Sequence, residues 1–191
     1  MKLSATFFML FFLFLSCNHQ SIENNEVLSV EAKYVLPYPV GREYICSQGF
    51  NNPYSHFDTF RYAVDFAMPI GTFVTAARSG RVIYILDSYS DTDQTAGHEN
   101  VVIIMNEDST YSRYVHLTHN GALVLINQMV APGDTVGLSG SSGTNGGPHL
   151  HFDITKSFGG RSDQTIPFDF KNMIQHPIGL EEGVSYKAFP Y

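Results

Sequence analysis

Two histidines stand one residue apart in the stretch GGPHLHFDI, which runs from Gly146 to Ile154. Apolar neighbours make this stretch typical of a buried β-strand. Side chains alternate between the two faces of a strand, so His149 and His151 point to the same side. Two imidazoles on one face could bind one metal ion, or divide metal binding and catalysis between them. Because the chain has 8 histidines in 191 residues, chance gives about 0.3 such pairs, and the pair alone is weak evidence.

Asp65 and His116 are further candidates for a chemical role. Asp65 lies in the apolar run YAVDFAMP, where a carboxylate is costly to bury unless a cation or hydrogen bonds compensate it. A metal ion could do so, and so could loop amides or Arg61. His116, in the run YVHL, ends a predicted hairpin strand, and taken alone it is more simply a core or edge histidine bonded to the backbone. A zinc hydrolase needs about three nitrogen or oxygen ligands and an open position for water.

The elements that must position these residues are predicted to be β-strands. Short apolar runs are separated by proline and glycine clusters, and no long stretch has a helical period. The runs 99–105 and 110–117 flank the turn NEDS, which predicts a hairpin. The other predicted strands are 61–69, 72–78, 80–88, 131–140, 148–154 and 165–170. We therefore expect an all-β fold of antiparallel sheets, forming a sandwich or barrel-like hybrid. The polar loops 88–99 and 139–148 could wall a binding cleft.

Composition sets limits on the class of protein. A chain of 191 residues with 43% hydrophobic content suits one well-buried domain. Its net charge of -7 argues against a nucleic-acid partner, because nucleic-acid binding needs a positive footprint.

The first residues predict export. Lys2 precedes an apolar run over 7–15, which is too short to span a bilayer and is interpreted, within residues 1–16, as a signal peptide. The sequence FLSC resembles the lipobox of bacterial lipoproteins, in which Cys17 becomes the lipidated first residue. Ordinary signal cleavage nearby, or a disulfide to Cys46, are the alternatives. Residues 17–41 are interpreted as a polar tether, 42–175 as the folded domain and 176–191 as a C-terminal extension.

Taken in order, the motifs resemble a known family. SH…YAVDFAMPIGTFVTAARSGRV, then YVHL, then GDTVGLSGSSGTNGGPHLHFDI are similar to the lysostaphin-type zinc metalloendopeptidases of bacterial cell walls, over residues 42–155. The resemblance implies a narrow active-site groove, one zinc ion per chain and hydrolysis of peptide bonds in peptidoglycan. It implies zinc ligation by His56, Asp65 and His151, with His116 and His149 as unligated catalytic histidines beside the water that zinc activates.

One position departs from the family pattern. Many members have the first histidine four residues before the aspartate, where this chain has Arg61. The nearest upstream histidine is His56, and we interpret SHFDTFRYAVD as a loop insertion that keeps the ligand. Asp58 and His119 are the substitute ligands to consider.

The function predicted from these residues is a zinc-dependent peptidoglycan endopeptidase for cell-wall remodelling. The chain would be exported to the cell envelope and anchored to a membrane through Cys17, facing the periplasm or the cell wall. The alternative is a catalytically inactive member of the same fold that binds wall peptide or activates another hydrolase.

Overall fold

The computed structural model describes residues 30–159, 163–174 and 179–191. Cys17 and the predicted signal peptide lie outside these ranges. Within them the chain forms a 3-10 turn at Asp58–Phe60 and thirteen strands. The strands are β1 (Ala32–Tyr34), β2 (Glu43–Gln48), β3 (Ala63–Ala67), β4 (Phe73–Thr75), β5 (Gly80–Leu86), β6 (Val101–Asn106), β7 (Tyr111–Val115), β8 (Leu117–Ala122), β9 (Met129–Val130), β10 (Thr135–Ser139), β11 (His149–Thr155), β12 (Asp169–Phe170) and β13 (Ser185–Lys187).

Two antiparallel sheets dominate the described part of the chain. The larger has eight strands in the order β13-β2-β3-β11-β7-β6-β5-β9, and the smaller has the order β4-β10-β8. No α-helix occurs among the described residues, so the prediction of an all-β antiparallel fold is confirmed. The exception is the pair β1 and β12, which is parallel. None of the elements in the described ranges is a helix that could cross a membrane.

One hydrophobic core is shared by both sheets. It includes Phe66 on β3 and Phe152 on β11 from the larger sheet, and Val74 on β4 and Val136 on β10 from the smaller one. Strand alternation explains the arrangement, since Leu150 and Phe152 are fully buried in this core while the intervening side chains point to the other face. The face of β11 opposite to the core therefore carries the two histidines of the HLH motif.

The predicted hairpin over 99–117 forms as β6 and β7, but its second strand ends earlier than predicted. His116 has φ +62°, a left-handed conformation that is unfavourable for a residue with a β-carbon. The chain bends there, and β8 continues in the smaller sheet, where it pairs with β10. His116 thus lies at the point where the chain passes from one sheet to the other.

Both ends of the described chain belong to the packed domain. β1 and the buried residues Leu36 and Tyr38 fall in the range predicted as a tether. β13 pairs with β2 inside the range predicted as an extension. The Tyr38 hydroxyl donates to the Tyr186 carbonyl at 2.7 Å and joins the two ends. Residues outside the predicted limits of 42 and 175 therefore pack in the same core as residues inside them.

Candidate metal centre

Three of the predicted site residues converge on one point. Asp65 on β3 and His151 on β11 are direct partners across the antiparallel strand pair, so both side chains lie on the same face. His56 comes from the loop before the 3-10 turn. One possible ligand atom from each of the three lies within 4.8 Å of the other two. Asp65 Oδ1 is 3.2 Å from His56 Nε2 and 2.9 Å from His151 Nδ1.

The hydrogen bond of His56 sets its tautomer. His56 Nδ1 lies 2.9 Å from the carbonyl oxygen of Gly49, and a carbonyl can only accept, so Nδ1 carries the proton. The lone pair of Nε2 is then left facing Asp65. His56 is fully buried, so no solvent reaches this nitrogen.

His151 is oriented in the same manner by a carboxylate. Its Nε2 donates to Asp153 Oδ2 at 2.9 Å, which leaves the lone pair of Nδ1 facing Asp65. Asp153 itself accepts two hydrogen bonds from Arg113, at 2.6 and 2.8 Å. Burial lowers the pKa of His151, but the carboxylates of Asp153 and Asp65 outweigh it and raise that pKa to about 9. Without a metal ion, a proton would therefore occupy this site.

The arrangement fits a cation. With both imidazoles in these neutral tautomers, His56 Nε2 and Asp65 Oδ1 are buried atoms without a hydrogen-bond partner among the described residues, which is costly unless a proton or a cation lies between them. Asp65 Oδ2 accepts from Gln48 Nε2 at 2.9 Å, so Oδ1 is the carboxylate oxygen left to bind a cation. Burial raises the pKa of Asp65, but the adjacent imidazoles outweigh it and hold that pKa well below its usual range. Two imidazole nitrogens and one carboxylate oxygen form a group that could hold a metal ion.

The two predicted catalytic histidines lie beside this group. His149 Nε2 is 3.7 Å from Asp65 Oδ2, and the ring centroids of His116 and His149 are 4.6 Å apart. Each ring donates through Nδ1 to a backbone carbonyl, His116 to Ser142 at 2.7 Å and His149 to Gly147 at 2.8 Å. Burial, with the neighbouring His149 and His151, lowers the pKa of His116 to about 3. His116 is therefore neutral at pH 7, with its Nε2 available as an acceptor.

A cavity of about 1000 Å³ opens over these residues. Asp65, His116, His149 and His151 line it, and its other walls combine an apolar sheet surface with the two loops around residues 57–60 and 144–146. The apolar part of the sheet surface comes from β5 to β7 and includes the exposed Tyr84 and the half-buried Leu86, Val101 and Val115. An open cavity beside a buried polar group is what an extended substrate requires.

The substitute ligands are not part of the group. His119 is exposed and its Nδ1 donates to the Ser88 carbonyl at 3.0 Å. Asp58 lines the cavity at an exposed position but is outside the three residues whose ligand atoms converge. Three supporting residues were not predicted from the sequence: Gln48 contacts Asp65, Asp153 contacts His151, and Arg113 contacts Asp153. Strand alternation alone would have placed Asp153 on the face of His151, two residues away.

Comparison with known proteins gives consistent similarities. The model of the family described as Peptidase family M23 matches residues 59–165, which include Asp65, His116, His149 and His151 but not His56. The peptidoglycan DD-endopeptidase ShyA of Vibrio cholerae serotype O1 is 36% identical over 124 residues, 61% of this chain and 26% of that protein. The outer membrane antigenic lipoprotein B of Histophilus somni is 31% identical over 136 residues, 71% of this chain and 36% of that protein. The chain thus spans well under half the length of these relatives.

Among solved structures, the fold is similar to the catalytic domain of the prophage-encoded M23 protein EnpA from Enterococcus faecalis. The TM-score is 0.52 and the sequence identity 25%, with 68% of this chain and 92% of that chain covered.

Proposed function

The chain belongs to peptidase family M23, and from this premise we propose that it is a zinc-dependent endopeptidase that cleaves peptide bonds in peptidoglycan cross-links or stem peptides. One observation carries the proposal: the lone pairs of His56, Asp65 and His151 converge beside two further histidines in an open cavity. The substrate class is supported by the relative named as a peptidoglycan DD-endopeptidase.

Zinc is the metal that suits this donor set. Two imidazole nitrogens and one carboxylate oxygen are ligands that catalytic zinc takes, with a fourth position left for water or substrate. Bound zinc supplies a Lewis acid that polarises a carbonyl and brings the pKa of water to about 7. The imidazoles of His56 and His151 are oriented before the ion binds. The Gly49 carbonyl and the Asp153 carboxylate hold the proton of each ring on the nitrogen that faces away from Asp65.

The acid and base roles belong to His116 and His149. Both imidazoles hold their Nδ1 proton against a carbonyl, so the Nε2 atom of each is free to take a proton. One of them accepts the proton of the attacking water. The imidazolium so formed can then stabilise the oxyanion of the tetrahedral intermediate or return that proton to the leaving amine.

We further propose that the chain acts in the cell envelope, anchored to a membrane by a lipid on Cys17. The support is the apolar run over 7–15 followed by FLSC, together with a relative named as an outer membrane lipoprotein. Metabolic labelling with a fatty acid should mark the wild type and not Cys17→Ser. Equal labelling of the two would contradict the anchor.

The test of the enzyme is zinc content followed by digestion of purified, cross-linked muropeptides, with the products identified by mass spectrometry. We expect one zinc per chain and cleavage by the wild type. His149→Ala should keep its zinc and lose roughly 100-fold or more of the cleavage rate, as expected for an acid or base. His119→Ala, which removes an exposed histidine, is the matched control and should cleave normally. Stoichiometric zinc without cleavage would favour the inactive wall-binding alternative, and a wild type that binds no zinc would overturn the metal site.

A further inference from the structure

Asn145 lies in the loop between β10 and β11, and its amide nitrogen faces only carbonyl oxygens. Nδ2 donates to the carbonyls of Ser141 at 2.8 Å, Ser142 at 3.3 Å and Gly143 at 2.9 Å. These three peptide groups form one turn of the loop. The side chain therefore gathers their oxygens around a single donor.

The amide oxygen of Asn145 holds the other half of the loop. Oδ1 accepts from the backbone N–H of Gly147 at 2.9 Å and from the Ser141 hydroxyl at 3.0 Å. Because an amide oxygen can only accept and an amide nitrogen can only donate, these partners permit one orientation of the amide. The side chain is thus a fixed bridge between residues 141–143 and residue 147.

Both halves of this bridge lead to a proposed catalytic histidine. The Ser142 carbonyl accepts the Nδ1 proton of His116 at 2.7 Å. The Gly147 carbonyl accepts the Nδ1 proton of His149 at 2.8 Å. One asparagine side chain therefore contacts the two peptide segments that set the tautomers of both imidazoles.

The backbone holds the two carbonyls unequally. The peptide that carries the Ser142 carbonyl also donates through the Gly143 N–H to the Asp93 carbonyl at 2.7 Å, whereas the peptide that carries the Gly147 carbonyl precedes Pro148 and has no N–H to donate. Gly143 has φ +75° and Gly147 has φ +129°, and glycine visits this region and many others at little cost. A peptide that is flanked by glycine can rotate its carbonyl unless a hydrogen bond holds it. Asn145 bonds the Ser142 carbonyl itself, and on the other side it holds the N–H of Gly147, one peptide before the Gly147 carbonyl.

We propose that Asn145 is a positioning residue that sets the tautomer and the orientation of His116 and His149 together. This inference rests on the proposed function, in which both histidines transfer protons through Nε2. It does not involve the metal ligands, because His56 and His151 donate to Gly49 and Asp153 instead.

The first experiment observes the imidazole protons by nuclear magnetic resonance in the zinc-loaded full chain. In the wild type we expect hydrogen-bonded Nδ1 protons for His116 and His149. Asn145→Ala should lose both signals to exchange with water and keep its zinc. Asn145→Asp keeps an oxygen for the Gly147 N–H but turns a second oxygen toward three carbonyls, so it should lose the His116 signal and keep that of His149.

Gln94→Ala is the matched control. Gln94 is an exposed amide that also donates to the Ser141 carbonyl, at 2.9 Å, but it contacts neither of the carbonyls that hold the histidines. Its removal should leave both Nδ1 signals and the rate of muropeptide cleavage unchanged. In Asn145→Ala, kcat should fall by about 100-fold with little change in KM, as for a misplaced reactive group.

Several results would overturn the proposal. Both Nδ1 signals could persist in Asn145→Ala, or kcat could stay the same after both are lost. Asn145→Ala could lose its zinc or its folded spectrum while Asn145→Asp keeps both Nδ1 signals. That result would show that Asn145 contributes only to stability. If the wild type cleaves no muropeptide, the proposed function fails, while the signals still decide whether Asn145 sets the tautomers.

Discussion

Eight residues separate His56 from Asp65 along the chain, yet His56 Nε2 lies 3.2 Å from Asp65 Oδ1. The intervening segment contains the 3-10 turn, whose first residue, Asp58, has φ +48°, and the turn brings the chain back to β3. His56 is buried and bonded to Gly49, whereas Arg61 is exposed. At the scale of single residues, the longer loop supplies the imidazole that the more usual spacing would have placed at Arg61.

His56→Ala should therefore abolish stoichiometric zinc binding, because a site with two protein ligands holds the ion far less tightly. The measurement is metal content after dialysis against a weak chelator. His119→Ala and Asp58→Ala serve as controls and should retain one zinc per chain. Zinc retention by His56→Ala, or its loss from either control, would show that the ligand is assigned to the wrong residue.

His151 predicts how metal binding depends on pH. In the metal-free protein its pKa is raised to about 9, so the imidazolium form dominates at pH 7 and must lose its proton before Nδ1 can ligate. Zinc binding at pH 7 should release about one proton from this residue, and the affinity should rise with pH until about pH 9. Calorimetry in two buffers with different heats of ionisation measures the protons released. An affinity that does not change between pH 6 and 8 would contradict this expectation.

At the scale of elements, the register of three strands builds the site. Asp65 on β3 lies opposite His151 on β11, and Asp153 on β11 lies opposite Arg113 on β7. Directly opposed side chains on one face of an antiparallel pair are close enough to contact each other. The metal group and the ion pair that supports it are therefore consecutive rows on one sheet face. A shift of the strand register by one residue would point both rows of side chains toward the hydrophobic core.

The ion pair is buried, and this sets the cost of breaking it. Arg113→Leu should lower the free energy of unfolding of the metal-free protein by about 1–3 kcal/mol, because the buried Asp153 carboxylate would lose its two hydrogen bonds to Arg113 and keep, among the described residues, only the one from His151. Arg113→Leu combined with Asp153→Leu should not recover that loss, because it also removes the acceptor of the His151 Nε2 proton. Urea unfolding curves of the three proteins test this. If Arg113→Leu lowers the free energy of unfolding by less than about 1 kcal/mol, the pair contributes no more to stability than a weak surface ion pair.

At the scale of the whole molecule, the C-terminal end of the described chain forms one edge of the larger sheet, beside the strand that supports the site. β13 is the edge strand next to β2, and β2 carries Gln48, which donates to Asp65. Tyr186 on β13 is 5% exposed and belongs to the common core. β13 therefore supports β2, whose Gln48 holds the Asp65 carboxylate, although β13 is far from the site in sequence.

Tyr186→Ala should lower the free energy of unfolding by about 3–5 kcal/mol, the usual cost of removing a buried aromatic side chain. Tyr191→Ala removes a side chain of the same type that is 54% exposed, and it should change stability far less. Thermal and urea unfolding of both variants provide the comparison. Equal effects of the two substitutions would mean that residues 185–187 do not form part of the cooperative unit.

The sequence determined most of the strands and the candidate residues. Alternating apolar side chains predict β3, β5, β6, β7 and β11 because each has one face in the core, and they place His149 and His151 on a common face. The order of the motifs identified Asp65 and His116 as members of the same set. The strand alternation is a local property, since it depends on neighbours a few residues away, whereas the motif order extends over residues 42–155.

Only the tertiary structure decided which side chains meet and what holds them. The pairing of Asp65 with His151 depends on the register between strands that are distant in sequence, and His56 reaches them through an irregular loop without a repeating pattern. The left-handed bend at His116, the Arg113 partner of Asp153 and the packing of residues 34–38 and 185–188 likewise have no periodic signal. Each of them results from contacts between segments that are distant in sequence and meet only in the folded chain. The residue types could therefore be predicted from the sequence, and their geometry could not.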